Sequence, residues 1–199
     1  MAAQFLLASG CNKNGTTPCV FGGYSFAVTS EWSPQNEVYN VGDIIFLISS
    51  FPKALTDQIN PAIVVDYSNS VGIGGDIGIA APDSIQRTNK PAKDSFQFVS
   101  FYGSFSERSI NQNQGINFNY AEFSTGYQFR GGLICKKKGL YGISVDNLNS
   151  NGIRGKNCTN AGFNMTVTNP DKHIYLYQNA LGIVLDNESI KKIYCFRVQ

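Results

Sequence analysis

From Tyr24 to the end of the chain, apolar and polar residues alternate with a period of two, and this spacing constrains the fold more than any other feature. Successive side chains on a strand point to opposite faces, so such alternation predicts half-buried strands. In "YSFAV", Tyr24, Phe26 and Val28 share one face. "VGDIIFLIS" follows a Gly-Asp turn and is more continuously apolar, as expected of a strand covered on both sides. "AIVVDY" (62–67) and "IGIA" (77–80) are shorter runs between Pro, Asn and Gly clusters. "SFQFVSFYG" places Phe96 and Phe98 on one face, then Val99 and Phe101 on the other, a change of phase that predicts a bulge. "INFNYAEF", "YQFRGGLIC", "GLYGISV", "FNMTVT" and "IYCFRV" extend the pattern to about ten strands. One segment, Ile174–Leu185, fits a short helix as well as a buried strand. Strands at this spacing, divided by turn residues, predict an all-β antiparallel β-sandwich rather than βαβ units.

Composition agrees. Aromatic residues make up 13%, asparagine supplies about one residue in ten, and there are 20 glycines. The first suits pleated, half-buried surfaces and the other two suit turns. Charged residues are only 15% of the chain and the net charge is +2, so no basic field is available to a nucleic-acid partner. The polar stretch "APDSIQRTNKPAKDS" (81–95) is the best candidate for a domain boundary. Each half would then hold only four to six strands, so one β-sandwich domain over residues 20–199 is expected.

"KKGLYGISV" resembles the tyrosine corner of immunoglobulin-like sandwiches, in which a Tyr hydroxyl bonds back to nearby backbone. Tyr141 takes that place. Ile143 stands where the antibody-type cysteine would be, so no such disulfide is implied. A similar Gly-x-Tyr opens strands in jelly rolls, including the C1q-like family. About 55 residues follow Tyr141. That length implies a jelly-roll-like or elaborated immunoglobulin-like sandwich.

"LLASGC", residues 6–11, resembles the lipobox that ends bacterial lipoprotein signals. Leu7 and Ala8 are followed by Ser9, Gly10 and Cys11, residues 1–10 carry no charge, and the chain turns polar at once in "NKNGTTPC". The resemblance implies lipidation of Cys11, with residues 1–19 as signal remnant and tether. It also implies an outer-membrane anchor in a bacterial cell envelope, with the protein on the periplasmic or surface face and the membrane reached through the lipid. "MAAQF" lacks the Lys or Arg that opens a signal peptide, so an ordinary apolar N-terminus is the alternative. No stretch approaches the roughly 20 apolar residues that span a bilayer. Cys19, Cys135, Cys158 and Cys195 remain, open to three pairings or to buried free thiols; without a CxxC spacing, no zinc site is expected.

Little in the chain points to catalysis. His173 is the only histidine; its context, "NPDKHIYLY", reads as an exposed strand start rather than a catalytic base. "GIGGDIG" (72–78) lacks the Lys and helix that phosphate binding needs and reads as a turn. "DNLNSNG" (146–152) has the alternate-oxygen spacing of a calcium loop, but Cys158 occupies the place of the closing Glu, so an Asn/Gly turn is the better reading. No metal or cofactor is expected. Asp66, Asp76, Glu107, Glu122 and Asp146 are the candidate carboxylates for glycosidase chemistry, and spacing singles out no pair. Trp32, just after a strand, is placed either as a ligand platform or as a cap on the core. The expected function is a non-catalytic envelope lipoprotein acting as a binding or assembly module, with envelope proteins or glycans as partners and an oligomer left open. The rival is a carbohydrate-binding or carbohydrate-cleaving jelly roll.

Overall fold

The computed structural model describes residues 23–107 and 115–199. Cys11 and Cys19 lie outside the described residues. The protein is all-β; the described residues form fifteen strands, nine of them five residues or longer, and two short α-helices. The strands of the first half are β1 (Tyr24–Ser33), β2 (Val38–Tyr39), β3 (Ile44–Phe51), β4 (Ala54–Thr56), β5 (Val64–Asp66), β6 (Gly74–Asp83), β7 (Thr88–Pro91) and β8 (Phe96–Tyr102). The second half adds β9 (Ser104–Ser106), β10 (Gly115–Asn119), β11 (Ala121–Phe123), β12 (Gly126–Cys135), β13 (Gly139–Ser150), β14 (Ala161–Val167), α1 (Ile174–Leu181), α2 (Asn187–Lys192) and β15 (Ile193–Val198).

Thirteen strands form one mixed sheet whose main path runs β11-β12-β3-β1-β14-β13-β6-β10-β9. β8 joins the free side of β12, and β15 joins β13; β4 and β5 form a separate hairpin. The sheet folds over and nearly closes: β8 leads straight into β9, and Phe105 Nα donates to Ser100 Oγ at 3.1 Å. Near-closure leaves few strand edges unpaired, which protects a β protein from edge-to-edge association. Most pairings are antiparallel, but β1 runs parallel to β14, Tyr24 opposite Ala161 through Ser30 opposite Val167. β15 and β2 are also parallel.

The alternation in the sequence becomes the core. Phe26, Val28 and Trp32 on β1 are buried while Ala27, Thr29 and Glu31 face out. The two halves of the sheet meet through aromatic rings. Phe118 on β10 packs on Phe129 of β12 at 4.7 Å, and Phe96 on β8 meets Tyr141 of β13 edge-on at 4.9 Å. Rings prefer such offset and edge contacts over face-to-face stacking. β8 carries a bulge, but beyond the Phe98–Val99 step where it was expected: the β12–β8 ladder is regular from Phe96 to Ser100 and shifts between Arg130 and Gly131, passing over Phe101.

Residues 81–95 form a hairpin. Asp83 Oδ1 accepts from the backbone N–H of Ile85 and Gln86 at 2.9 and 3.0 Å, an Asx turn that closes β6 onto β7. Strands on both sides share one hydrophobic cluster. Two glycine- and asparagine-rich stretches read as turns are strand instead: Gly74–Gly78 lies in β6 and Asp146–Ser150 in β13. Gly74, Gly78, Asn147 and Asn149 lie on the outward face, where small and amide side chains are tolerated, while Ile77 and Leu148 face the core. The Ile174–Leu185 segment resolves as α1, ended by Gly182 at φ 66°, a conformation that costs glycine little.

Candidate functional site: a polar trough across four strands

The outer face of β9, β10, β6 and β13 carries a shallow trough. Cross-strand register builds it. Ser106 pairs with Asn117, Asn117 with Asp76, and Asp76 with Asp146, so one polar row crosses four strands. A parallel row runs from Ser104 through Asn119 and Gly74 to Asn149. On the other side lie Gly115, Gly78 and Ser144. Three adjoining depressions of about 210, 350 and 330 Å³ follow these rows and share Asp76, Asn147, Ser144 and Tyr177 among their walls.

Glycine makes the floor low. A Cβ on Gly78 would stand 2.8 Å from Ser144 Oγ. One on Gly142 would stand 2.5 Å from the Tyr177 ring, so glycine there lets α1 lie against β13. Tyr177 and Leu181 of α1 pack with Cys195 as a small second core. The Tyr177 hydroxyl donates to Asn89 Oδ1 at 2.5 Å, and burial pushes its pKa up to about 12. The helix thus forms a wall of the trough. α2 follows, capped by Asp186, whose Oδ1 accepts from the Ser189 N–H at 2.8 Å.

The site's electrostatics run against the usual rule for sheets. Directly opposed residues have Cβ atoms about 5 Å apart, and like charges there are destabilising. Asp76 and Asp146 nonetheless face each other. Asn147 Nδ2 donates to Asp76 Oδ2 at 2.9 Å, Ser144 Oγ donates to Asp146 Oδ2 at 2.9 Å, and Lys192 Nζ lies 3.6 Å from Asp146 Oδ1. A local rule broken and compensated by neighbours is characteristic of functional sites. Between them and β9, the buried Asn117 Oδ1 has no hydrogen-bond partner among the described residues. The same holds of Ser30 Oγ and Trp32 Nε1 in the core.

Of the five candidate carboxylates, the structure brings together only Asp76 and Asp146. Asp66 caps its own turn through Ser68, Glu122 pairs with Lys53 at 2.9 Å, and Glu107 is 3.6 Å from Lys93. Trp32 is fully buried, stacked 6.5 Å from Tyr194, and so sits where the core-capping reading puts it. His173 corrects the expectation of an exposed residue: it is 7% exposed, in the left-handed region at the start of α1, edge-on to Tyr194. Its Nδ1 lies 3.2 Å from Asp171 Oδ1 without hydrogen-bond geometry.

Cys135 and Cys195 are buried free thiols, and Cys158 is disulfide-bonded. Among the described residues, no group of three His, Cys, Asp or Glu is placed to hold a metal ion. No described helix is long and apolar enough to cross a membrane. Asn117 and Asn119 were not singled out from the sequence, and Asn147 and Asn149 were weighed there only as part of a calcium loop. Their alternation in "INFN" and "DNLN" was the available signal. Neither a protein-family model nor a curated protein matches this chain.

Proposed function

We propose that this protein is a non-catalytic binding module of a bacterial cell envelope, tethered through a lipid on Cys11 and facing the periplasm, and that the trough receives its ligand. The observation that carries the binding reading is the polar row Ser106–Asn117–Asp76–Asp146, with its two opposed carboxylates beside a glycine floor. Amide and carboxylate groups above a glycine floor suit a flat, neutral, hydroxyl-rich ligand, each hydroxyl able to donate to one group and accept from the next. A glycan segment has that chemistry.

The opposed carboxylates favour a second reading, glycoside cleavage. A retaining enzyme holds two carboxyl groups about 5 Å apart, with the acid member in apolar surroundings. Here Ser144, Asn147 and Lys192 surround the pair with polar atoms, which supports binding over cleavage. A glycan array followed by a reducing-sugar assay on every hit tests both. Selective binding without new reducing ends supports the module, new reducing ends establish the enzyme, and no binding to any glycan removes the glycan ligand. Intact mass of the natively expressed protein tests the anchor: a mature chain beginning at diacylated Cys11 supports it, and an unmodified Met1 overturns it.

A further inference from the structure

The opposite side of the molecule carries a second unusual surface. An antiparallel sheet with one solvated face normally reads polar on that face. On the outer face of β8, β12 and β3, Val99, Phe101, Ile134, Ile44, Phe46 and Ile48 cluster between Gln97 at one end and Gln128 and Ser50 at the other, with Tyr102 and Phe123 beside them. Phe101 is 54% exposed and Tyr102 47% exposed. Gly132 sits at the centre between Val99 and Phe46. A Cβ there would lie 2.8 Å from Ile44 Cγ2 and 2.9 Å from Val99 Cγ2, so its absence lets the neighbours close into a flat surface.

Two opposite charges flank Ile48. Arg130 on β12 and Glu31 on β1 both pair with Ile48 on β3, one from each side. The row therefore reads cation, aliphatic, anion across three strands, about 10 Å from end to end. The Arg130 guanidinium lies over the Phe46 ring at 4.8 Å and the Phe101 ring at 5.5 Å. Neither Arg130 nor Glu31 forms an ion pair among the described residues.

We propose that the outer face of β12, β3 and β1, centred on Ile48, binds a second copy of the same chain in a two-fold dimer. An isologous interface needs a surface complementary to itself. A two-fold axis running along β3, between two faces packed about 10 Å apart, sets Ile48 against Ile48 and Arg130 against the partner's Glu31, twice over. The charge order across β3 is what selects a second copy over an unrelated apolar partner.

Sedimentation equilibrium tests this with four samples: the unaltered protein, Glu31→Arg, Arg130→Glu, and an equimolar mixture of the two variants. Each variant sets like charges against each other twice, so its self-association weakens by about tenfold or more. In the mixture both contacts are opposite in sign, and dimers return. Circular dichroism verifies that both variants remain folded, as substitutions on an exposed face should. Ile48→Lys, which buries two ammonium groups at the axis, gives monomers and is not rescued by mixing with either charge variant. An unaltered protein that stays monomeric at tens of micromolar overturns the proposal. So do variants that dimerise as well as the parent, or a mixture that regains nothing.

Discussion

The side-chain amide of Asn169 clamps the backbone of Trp32: Asn169 Oδ1 accepts from the Trp32 N–H at 2.8 Å, and Asn169 Nδ2 donates to the Trp32 carbonyl at 2.7 Å. The parallel β1–β14 ladder ends at Ser30 and Val167, and this amide continues it two residues further. Both partners are buried. Asn169→Ala leaves two buried backbone groups unpaired and should destabilise the fold by about 3 kcal/mol. Asn169→Asp keeps the acceptor but sets a carboxylate oxygen against the Trp32 carbonyl, and should cost at least as much. Urea unfolding midpoints at constant m-value measure both.

The tyrosine corner was legible in nine residues. The Tyr141 hydroxyl donates to the Lys137 carbonyl at 3.0 Å, four residues upstream. Tyr141→Phe keeps the ring contacts with Phe96 and Phe196 and loses that bond with its longer branch to the Lys138 carbonyl, so a loss of about 1 kcal/mol is expected in the same unfolding experiment.

Strand alternation, the presence of a bulge in β8 and the helical option at residues 174–185 could likewise be read locally. The trough could not. Asp76 and Asp146 are 70 residues apart in sequence, and only the β6–β13 register opposes them. A one-residue slip would have sent either carboxylate inward. The parallel β1–β14 pairing was equally hidden, because alternation specifies a strand's faces and says nothing of its neighbour. "GIGGDIG" was read as a turn because glycine is common in turns. In β6 the glycines instead keep the outer face low.

Asn117→Ala separates binding from stability. The substitution removes a buried acceptor that has no partner among the described residues. Stability should therefore hold or rise slightly, while affinity for a ligand of the trough falls about tenfold, the value of one hydrogen bond. A destabilised variant with unchanged affinity would assign Asn117 to the scaffold alone.

The free thiols predict chemical silence. Burial pushes the Cys135 thiol up to about 11 and the Cys195 thiol up to about 12, and the thiolate is the reactive form. At pH 8 both should resist a thiol-specific alkylating reagent in the native protein and react fully in denaturant. Mass spectrometry of the alkylated chain reads the count directly.

Stability should fall at both pH extremes. The Cys195 thiol, ordinarily near 9.0, and the Tyr177 hydroxyl, ordinarily near 10.0, are both pushed up to about 12 by burial. The native state therefore keeps protons that the unfolded chain releases, and stability declines as pH rises from about 9 through about 12. At the acid end, the Lys90 ammonium and then the Gln86 and Ile85 N–H groups hold Asp83 down from 3.8 to about 2. The unfolded chain takes up that proton first, so this contribution is lost as pH drops from about 4 through about 2. Unfolding midpoints across pH should show both declines, with Asp83→Asn flattening the acid limb.

The trough is tested most directly by mapping where a glycan-array hit binds, using backbone and side-chain amide resonances titrated with that ligand. Saturable shifts confined to Asn117, Asn119, Asn147 and Asn149, with the ligand recovered intact, are the expected result. Shifts that gather instead around Phe101, Tyr102 and Arg130, or a ligand cleaved during the titration, would contradict the account.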